Sequence, residues 1–253
     1  MNELTIKTIQ INPFRTLLSS LKDILLEANI TFQPDGMRIV NLDKSKAILV
    51  HLFLKAESFE QFTCNKPRIL IGVNMHHFYK LIHSMDKHDT LIMAIEPEDY
   101  TDGIVTHLTI RFENGLQCKT QKLRLIEPDM ELLEVPEVEF RSVVTMPSID
   151  FQKIIRDMSS ISDKVEITSI GNELIFSGKG PFASVEVKRV GADCSTSEFI
   201  RGEFLVKSLS SFIKCTPLST SMQLYLENDM PLVVVYHVAT LGTVKLCLSQ
   251  LGV

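Results

Sequence analysis

The sequence predicts an α+β protein with two similar domains, each built from antiparallel β-sheet and two helices. Short segments of β-branched or alternating residues recur along the whole chain, separated by turn residues such as Asp102-Gly103 and Asn114-Gly115. Four segments instead have apolar residues at helical spacing, and they fall two in each half of the chain. Many short strands with few helices favour antiparallel sheets over a parallel fold.

The predicted strands are short and evenly spaced. Their β-branched and aromatic residues fit a pleated, half-buried surface, and the turn residues between them allow the chain to reverse. The segments with this pattern are residues 4–11, 36–42, 47–55, 90–95, 105–112, 165–169, 173–177, 184–190, 222–226, 232–238 and 243–248.

Each of the four predicted helices has an apolar stripe that can pack on a sheet. We expect Asn12, Asn74 and Ser148 to begin the first three helices. Pro13 suits the first turn of the first helix, and Pro217 ends the fourth. The four stripes are Phe14, Leu17, Leu18 and Leu21; Phe78, Leu81, Ile82 and Met85; Phe151, Ile154, Ile155 and Met158; and Phe204, Leu205, Leu209, Phe212 and Ile213.

The order of the elements indicates an internal duplication. Phe14 and Phe151 begin equivalent stripes 137 residues apart, and the second helices of the two halves are offset by about 131 residues. Two unrelated domains with a similar element order are the alternative. Pro128, Pro136 and a run of acidic residues oppose a regular helix between the halves. We therefore predict a first domain at residues 1–122, a connector at 123–140 and a second domain at 141–253.

Positive charge is concentrated on the predicted helices, although the chain has a net charge of −5. Residues 12–22, 74–83, 148–160 and 204–214 hold seven Lys or Arg and two acids, whereas the remainder holds 19 basic and 29 acidic residues. If the helices share one surface, an otherwise acidic protein presents a basic face to phosphates. The alternative is that these are ordinary solvated faces of amphipathic helices.

The basic residues recur at positions opposite the apolar stripes. Three helices have polar or basic residues at i, i+4 and i+7, and the third helix has a basic pair at i, i+3. Ser and His accompany them, and tryptophan is absent from the chain, so this face suits contact with the sugar-phosphate backbone without sequence readout. The basic residues are Arg15, Lys22, Lys80, Lys153, Arg156, Lys207 and Lys214, with His76 and His83 on the second helix.

Other features of the sequence argue against an enzyme or a membrane protein. The five cysteines are widely separated, which favours free thiols, and no segment has the apolar length of a membrane helix or a signal peptide. His76, His77, His83 and His88 lack acidic or cysteine partners at ligand spacing, and residues 96–103 lack calcium-loop spacing and are interpreted as a solvated hairpin tip. We therefore predict an intracellular protein with no catalytic residues, metal or cofactor; a metal-dependent nuclease is the alternative enzyme class.

Nearly the whole chain resembles, in collinear order, the DNA sliding clamps of the proliferating cell nuclear antigen family. The segments SLKDILLEANITF, IGVNMHHFYKLI and FQKIIRDMSSISD resemble the first three helices of that family, and LEVPEVEF resembles its interdomain connector. DGMRIVNLDKSKAILVHLFLKAESFEQFTC and FIKCTPLSTSMQLYLENDMPLVVVYHVATLGTVKLCL resemble its first sheet and its final helix with the closing sheet.

The resemblance implies the DNA clamp fold, with three subunits closing into a ring whose helices face the central hole. It implies a DNA polymerase processivity factor that encircles duplex DNA without sequence specificity, acting in replication and repair. The implied partners are DNA polymerase, other proteins with clamp-binding peptides and a clamp loader, with no membrane partner. The implied location is the nucleus, or a cytoplasmic replication site for a viral protein.

The resemblance also implies two protein-binding surfaces. A groove under the connector would receive short helical peptides, and edge strands at 116–125 and 183–190 would join neighbouring subunits. The groove residues are Leu42, Lys46, Ala47, Leu49, Leu133, Val135, Pro136, Phe140 and Pro231. The subunit-interface residues are Leu116, Cys118, Leu123, Ser184, Val185 and Val187.

The sequence departs from the family pattern at two places. Residues 246–250 lack the aromatic residue and the Ala-Pro pair of the family's last strand, so we expect partner peptides to bind differently or more weakly. Gly171 stands where eukaryotic clamps have a lysine for ubiquitin, so that modification is not expected. These departures suggest a divergent, viral member. A monomeric or dimeric processivity subunit and one subunit of a heterotrimeric checkpoint clamp remain alternatives.

Overall fold

A computed structural model of the chain describes residues 2–86, 88–115, 117–129, 133, 138–190 and 199–252. The chain divides into two compact units. The first unit comprises residues 1–44, 50–133 and 238–244, and the second comprises 45–49, 134–237 and 245–253. No helix among the described residues is long and apolar enough to span a lipid bilayer.

Among the described residues, the first half of the chain has eleven strands and two helices, α1 and α2. Short 3-10 turns follow β4 and β7. In chain order the elements are β1 (Leu4–Thr8), α1 (Ile11–Leu21), β2 (Glu27–Gln33), β3 (Gly36–Leu42), β4 (Ile48–Lys55), β5 (Gln61–Cys64), β6 (Ile69–Asn74), α2 (Met75–His83), β7 (Thr90–Ile95), β8 (Tyr100–Thr101), β9 (Ile104–Val105), β10 (His107–Glu113) and β11 (Cys118–Arg124).

The second half has eight strands and two helices, α3 and α4. The elements are β12 (Ser142–Pro147), α3 (Ser148–Ser159), β13 (Lys164–Ile170), β14 (Glu173–Lys179), β15 (Ser184–Val190), β16 (Ile200–Leu205), α4 (Val206–Phe212), a 3-10 segment (Ile213–Leu218), β17 (Ser221–Leu226), β18 (Leu232–Val238) and β19 (Gly242–Leu248).

The two halves repeat the same strand order, which agrees with the predicted duplication. In the first, β11, β10, β7 and β1 are neighbours in one sheet, and β4, β3, β2 and β6 follow one another in a second. The second half has the equivalent orders β19-β18-β17-β12 and β15-β14-β13-β16. The predicted α+β fold, with antiparallel sheets and two helices in each half, is therefore confirmed.

Three helices, α2, α3 and α4, follow a strand directly, α1 follows β1 after two residues, and each helix buries most of its apolar stripe. Phe14 of α1 and Phe78 of α2 are fully buried and meet edge to face, with ring centroids 6.4 Å apart. In the other unit Phe151 of α3 packs on Phe176 of β14 at 6.3 Å. Because the stripes are buried in this way, the opposite sides of the helices carry the polar residues.

The predicted helix starts were right for α2 and for α3, which begins at Ser148, and wrong for α1, and the fourth predicted stripe began too early. The Asn74 side chain accepts a hydrogen bond from the His77 amide at 3.0 Å, as a capping residue does. α1 begins at Ile11, one residue before the predicted cap, and its N-cap is Gln10. α4 begins only at Val206, because the preceding apolar residues lie in β16, where they pair with β13.

The first predicted strand was too long, because α1 already begins at Ile11. The strands that were not predicted are β2, β5, β6, β8, β12 and β16. β16 includes Gly202 and Glu203, which weaken its strand pattern. β5 has four residues, none of them buried, so alternation gives little signal there. β5 and β16 are therefore specified by their neighbours more than by their own residues.

Candidate nucleic-acid interface

In the first unit, two of the three predicted DNA-binding cations contact the protein itself. The Arg15 guanidinium donates to the Met85 carbonyl at 3.0 Å and to Asn12 Oδ1 at 2.9 Å. It therefore ties α1 to the segment after α2. Lys22 lies 2.8 Å from the Asp23 carboxylate and 5.1 Å from the centre of the Tyr79 ring. Only part of the charge of these two residues is available to an external phosphate.

α2 carries the more accessible basic residues of this unit. Lys80 is exposed and makes no ion pair with another described residue. His76 and His83 are also exposed, and the Tyr79 hydroxyl lies 3.0 Å from His83 Nδ1. Lys22, Tyr79 and His83 thus form a chain of contacts between α1 and α2 that the sequence did not predict.

In the second unit, the four predicted cations are exposed, and three of them make no ion pair with another described residue. Lys153 and Arg156 on α3 and Lys207 on α4 are exposed, and none makes an ion pair with another described residue. Lys214, in the 3-10 segment after α4, is exposed as well. Gln152 of α3 donates to the Ile213 carbonyl at 3.2 Å, which links α3 to that segment. The unit therefore places four cations on α3, α4 and the 3-10 segment that follows α4.

The negative charge of one acid on α3 is neutralised by an ion pair. Asp150 receives a hydrogen bond at 2.7 Å from Arg189, which lies on β15. The second acid, Asp157, is exposed and has no ion pair among the described residues. The net positive charge of α3 is therefore larger than its composition alone suggests.

The acidic run after β7 is the predicted exposed hairpin tip only at residues 101–103, whereas Glu96, Glu98 and Asp99 belong to an ion-pair network. Lys122 of β11 lies 2.7 Å from Glu96, 3.1 Å from Glu98 and 2.9 Å from Asp99. Burial would raise the pKa of Asp99, but hydrogen bonds from Lys122 and His107 outweigh it and lower that pKa. The same three acids raise the pKa of Lys122.

These acids are also the one group of three potential metal ligands found among the described residues, with ligand atoms within 4.8 Å of one another. The Lys122 ammonium contacts all three and neutralises part of their negative charge. The exposed histidines of α2 do not join such a group in the described part of the chain. The position of the Lys122 ammonium among these acids is the one a bound cation would need.

The predicted groove residues are divided between the two units. Leu42, at the end of β3, and Leu133 belong to the first unit and are half-buried. The second unit contains Lys46, with a φ of 58°, and Phe140, whose ring packs edge to face on Tyr225 at 5.7 Å. The remaining described groove residues of the second unit are Ala47 and Leu49, both half-buried, and Pro231, which is exposed. Val135 and Pro136 lie outside the described residues.

The predicted subunit-interface residues lie on two edge strands. β11 is at one end of its sheet and β15 at one end of another. Cys118 and Ser184 are exposed and Val185 and Val187 are half-buried, whereas Leu123 is buried in the first unit. Leu116 lies outside the described residues.

Comparison with known protein families identifies the family to which this chain belongs. The model of the proliferating cell nuclear antigen N-terminal domain matches residues 1–132, and that of the C-terminal domain matches residues 134–251. The chain belongs to the proliferating cell nuclear antigen family. It is therefore a sliding clamp of the type that serves as a processivity factor in DNA replication.

Curated relatives of this clamp include two viral proteins. "Probable DNA polymerase sliding clamp 1" of Paramecium bursaria Chlorella virus 1 is 34% identical over 97% of this chain and 96% of its own length. "Probable DNA polymerase sliding clamp" of Acanthamoeba polyphaga mimivirus is 31% identical over 85% of this chain. This match spans 47% of the mimivirus protein's length.

The fold of the clamp is also found among solved structures. The crystal structure of proliferating cellular nuclear antigen from Entamoeba histolytica superposes with a TM-score of 0.89 and 23% sequence identity. The match covers 99% of each chain, so it extends over both units. At this identity it establishes the shared fold alone. The clamp's site residues, which these comparisons do not test, stay predictions.

Proposed function

We propose that three copies of this clamp close into a homotrimeric ring around duplex DNA and hold DNA polymerase on its template. The observation that carries this proposal is the segregation of charge: exposed cations on α3, α4 and α2, in a chain whose remainder is acidic. Such a distribution attracts phosphates to the helices and repels them elsewhere. Few of these side chains suit base readout, so the contacts are independent of DNA sequence.

The DNA-contacting residues in this proposal are those predicted from the sequence. Lys80, Lys153, Arg156 and Lys207 have the most available charge, because none has an ion-pair partner among the described residues. Arg15 and Lys22 contribute less because they also hold α1 against α2. Lys214 completes the set. The contacts are individually weak and exchangeable, as movement along DNA requires.

The proposed role of the clamp is that of a tether without catalysis. Leu42, Lys46, Ala47, Leu49, Leu133, Val135, Pro136, Phe140 and Pro231 form the groove for partner peptides beneath a connector at residues 123–140. This connector separates domains at 1–122 and 141–253. DNA polymerase, repair proteins with clamp-binding peptides and a clamp loader are the proposed partners. A nuclear or viral cytoplasmic replication site is the proposed location.

Subunit contact in the ring is proposed to join β11 of one copy to β15 of the next. Each is an edge strand, and an edge strand exposes unpaired backbone groups that another strand can satisfy. Leu116, Cys118, Leu123, Ser184, Val185 and Val187 are the proposed interface residues.

The mass of the purified chain in solution, measured by light scattering, is the first test. A mass three times that of the chain supports the ring, whereas a monomer or dimer favours a non-encircling processivity subunit. A chain that becomes trimeric only with other proteins would be one subunit of a heterotrimeric clamp.

Retention on DNA tests encirclement itself. After loading, the clamp should stay on closed circular DNA and leave the same DNA once it is linearised, because a ring slides off a free end. Equal loss from both forms would contradict encirclement. Incubation of either DNA with Mg²⁺ and the clamp alone should leave it uncut; cleavage would restore the nuclease alternative.

A groove variant tests the tethering role separately. Leu49→Asp places a charge in the proposed groove and should abolish stimulation of the polymerase while the trimer persists. Leu26→Asp, at a residue that is already 55% exposed, is the control and should have little effect. Loss of the trimer in Leu49→Asp would mean that the groove is misplaced.

A further inference from the structure

Two edge strands of equal length stand out among the strands at the ends of the described sheets. β11 and β15 each have seven residues, whereas β5 and β16, at the opposite ends of the same sheets, have four and six. A long edge strand can pair with another chain unless something covers it. Both sheets are antiparallel, so the natural continuation of either is an antiparallel partner.

A large apolar side chain projects just before β15. Phe182 is 77% exposed, the most of any large apolar residue in the described part of the chain. It sits in a tight turn in which the Gly180 amide donates to the Ala183 carbonyl at 2.9 Å. A Cβ on Gly180 would lie 1.7 Å from the Ile161 carbonyl oxygen, so this turn is pressed against the end of α3. The phenyl ring is therefore exposed to solvent on a turn that packs tightly against its own unit.

The first unit has an apolar cleft where β11 ends. The cleft has a volume of about 990 Å³, and its lining includes Ile104, Val105, Leu125 and Ile126. Ile104 is 68% exposed at the tip of the β8–β9 hairpin. A large exposed apolar surface of this kind in a soluble protein marks a binding surface.

The wall of the cleft formed by residues 125–128 is fixed to the sheet. The Ile126 amide donates to the Gly72 carbonyl of β6 at 3.0 Å. A Cβ on Gly72 would lie 2.6 Å from the Ile126 carbonyl oxygen, so only glycine permits this close approach. The cleft is therefore pre-formed and loses little conformational freedom on binding.

We infer that Phe182 of one copy inserts into the Ile104 cleft of a second copy and acts as the anchor of the contact between subunits. This inference rests on the proposed ring. In an antiparallel pair, the C-terminal end of β11 lies beside the N-terminal end of β15. The cleft follows the first of these ends and Phe182 precedes the second, so pairing brings them together. A parallel arrangement would separate them by the length of the strand, roughly 20 Å.

The charges at these two ends are complementary. β11 carries Lys119, Lys122 and Arg124 and no acid, and Arg124 has no ion-pair partner among the described residues. On β15, Lys188 and Arg189 are already bound by acids of their own unit, Glu173 at 2.6 Å and Asp150 at 2.7 Å.

The remaining charge on β15 is Glu186, which is exposed and has no ion-pair partner among the described residues. It lies near the N-terminal end of β15, the end that an antiparallel pairing sets beside Arg124. Opposite charges at these ends favour the same register that brings Phe182 to the cleft.

Photo-crosslinking tests the position of the anchor. With p-benzoylphenylalanine in place of Phe182 in the full-length clamp, irradiation should give a crosslinked dimer whose adduct lies within residues 102–107 or 124–128. An adduct elsewhere on a second copy, or within the same copy, overturns the inference. The same photoreactive residue at Phe199, which is 53% exposed in the same unit, is the control and should not label the cleft.

Substitution tests the energetic role. Phe182→Ser should raise the dissociation constant between subunits about 30-fold, which corresponds to about 2 kcal/mol and is typical of a buried aromatic anchor. Phe199→Ser should change it less than about 2-fold, since it removes a similar ring that lies outside the proposed contact. Thermal unfolding of each variant's monomer at low concentration separates an assembly defect from a folding defect.

A double mutant makes the result specific to the pair. If Phe182 and Ile104 act on each other, the variant carrying both Phe182→Ser and Ile104→Ser should be no weaker in assembly than the worse single variant. Additive effects would overturn the inference. A trimeric wild type in which Phe182→Ser assembles normally would also overturn it and leave the ring intact, whereas a monomeric wild type would overturn both.

Discussion

The helix pairs of the two units carry similar patterns of basic residues but use them differently. In the first unit, Arg15 and Lys22 bind groups of their own unit. The second unit leaves Lys153, Arg156 and Lys207 exposed, without ion pairs among the described residues. In this unit the acid Asp150 of α3 is also paired with Arg189 of β15.

The difference shows that helical spacing determines which face a charge occupies, but not whether the charge is available. Availability depends on neighbours that come from other elements. Met85 and Tyr79 reach the basic residues of α1 from α2 and the segment after it. Lys153, Arg156 and Lys207 have no ion-pair neighbour among the described residues, so we assign the second unit the larger share of DNA contact.

The largest effect is expected from reversing the charges of the second unit. Each lost phosphate contact weakens binding about 5-fold at physiological salt, so Lys153→Glu, Arg156→Glu and Lys207→Glu together should reduce clamp-dependent polymerase stimulation about 100-fold. The matched reversal of Arg15, Lys22 and Lys80 in the first unit should have a smaller effect. Both are measured as primer extension at several salt concentrations. Equal losses would remove the distinction between the units.

A second contrast lies within the second unit, between a buried ion pair and a more exposed one. The second unit's Glu227 is buried, and hydrogen bonds from Arg141, opposed by burial, hold its pKa at about 2. Because the pKa is depressed, the pair stabilises the fold fully above the ordinary pKa of a glutamate, and this stabilisation is lost as pH falls toward 2.

Glu227→Gln should therefore lower the free energy of unfolding by about 2 kcal/mol at pH 7, a figure reduced because Arg141 is half-exposed. Urea unfolding should show this difference shrinking between pH 4.5 and pH 2. Glu173→Gln removes a more exposed ion pair with Lys188 and should cost less than about 0.5 kcal/mol. A difference for Glu227→Gln that is independent of pH would contradict the assignment.

Arg15 and Arg156 test whether the first unit uses its basic residues structurally. Arg15→Gln removes the hydrogen bond to the Met85 carbonyl and should destabilise the protein by about 1 kcal/mol. Arg156→Gln should leave stability within about 0.5 kcal/mol, because the side chain is exposed and has no ion pair with a described residue. Thermal unfolding measures both, and equal stability losses would argue against a structural role specific to Arg15.

The smallest expected effect distinguishes two lysines within the first unit. Lys80→Glu should weaken polymerase stimulation about 5-fold, as expected for one phosphate contact. Lys22→Glu should weaken it less than about 2-fold, because Asp23 already compensates the Lys22 charge. A larger loss for Lys22→Glu would mean that Lys22 leaves Asp23 when DNA binds.

Much of the fold followed from local pattern. The four apolar stripes gave the helices because each buries one face within its own unit, and Asn74 was identified as a cap because its partner, the His77 amide, is three residues away. The same reasoning failed for Asn12, whose side chain accepts from Arg15 instead. The strand that contains Phe204 was missed because its pairing with β13 overrides the helical spacing of its apolar residues.

The electrostatics of the site were less predictable because they depend on partners distant in sequence. Lys122 meets the acids at 96–99 through the pairing of β11 with β10, and Asp150 meets Arg189 across 39 residues. A sequence shows charges but does not show which of them are neutralised. The predicted basic residues therefore differ in how much of their charge is available to DNA, and only the structure shows this difference.

Arg189 belongs to β15 yet governs the charge of α3, because it holds Asp150 at 2.7 Å. One side chain thus connects the strand proposed for subunit contact with a helix proposed for DNA contact. If a neighbouring copy's acid drew Arg189 toward itself, Asp150 would be released as a negative charge facing the phosphates. Opening or closing of the contact between copies would then change the charge that faces the bound DNA.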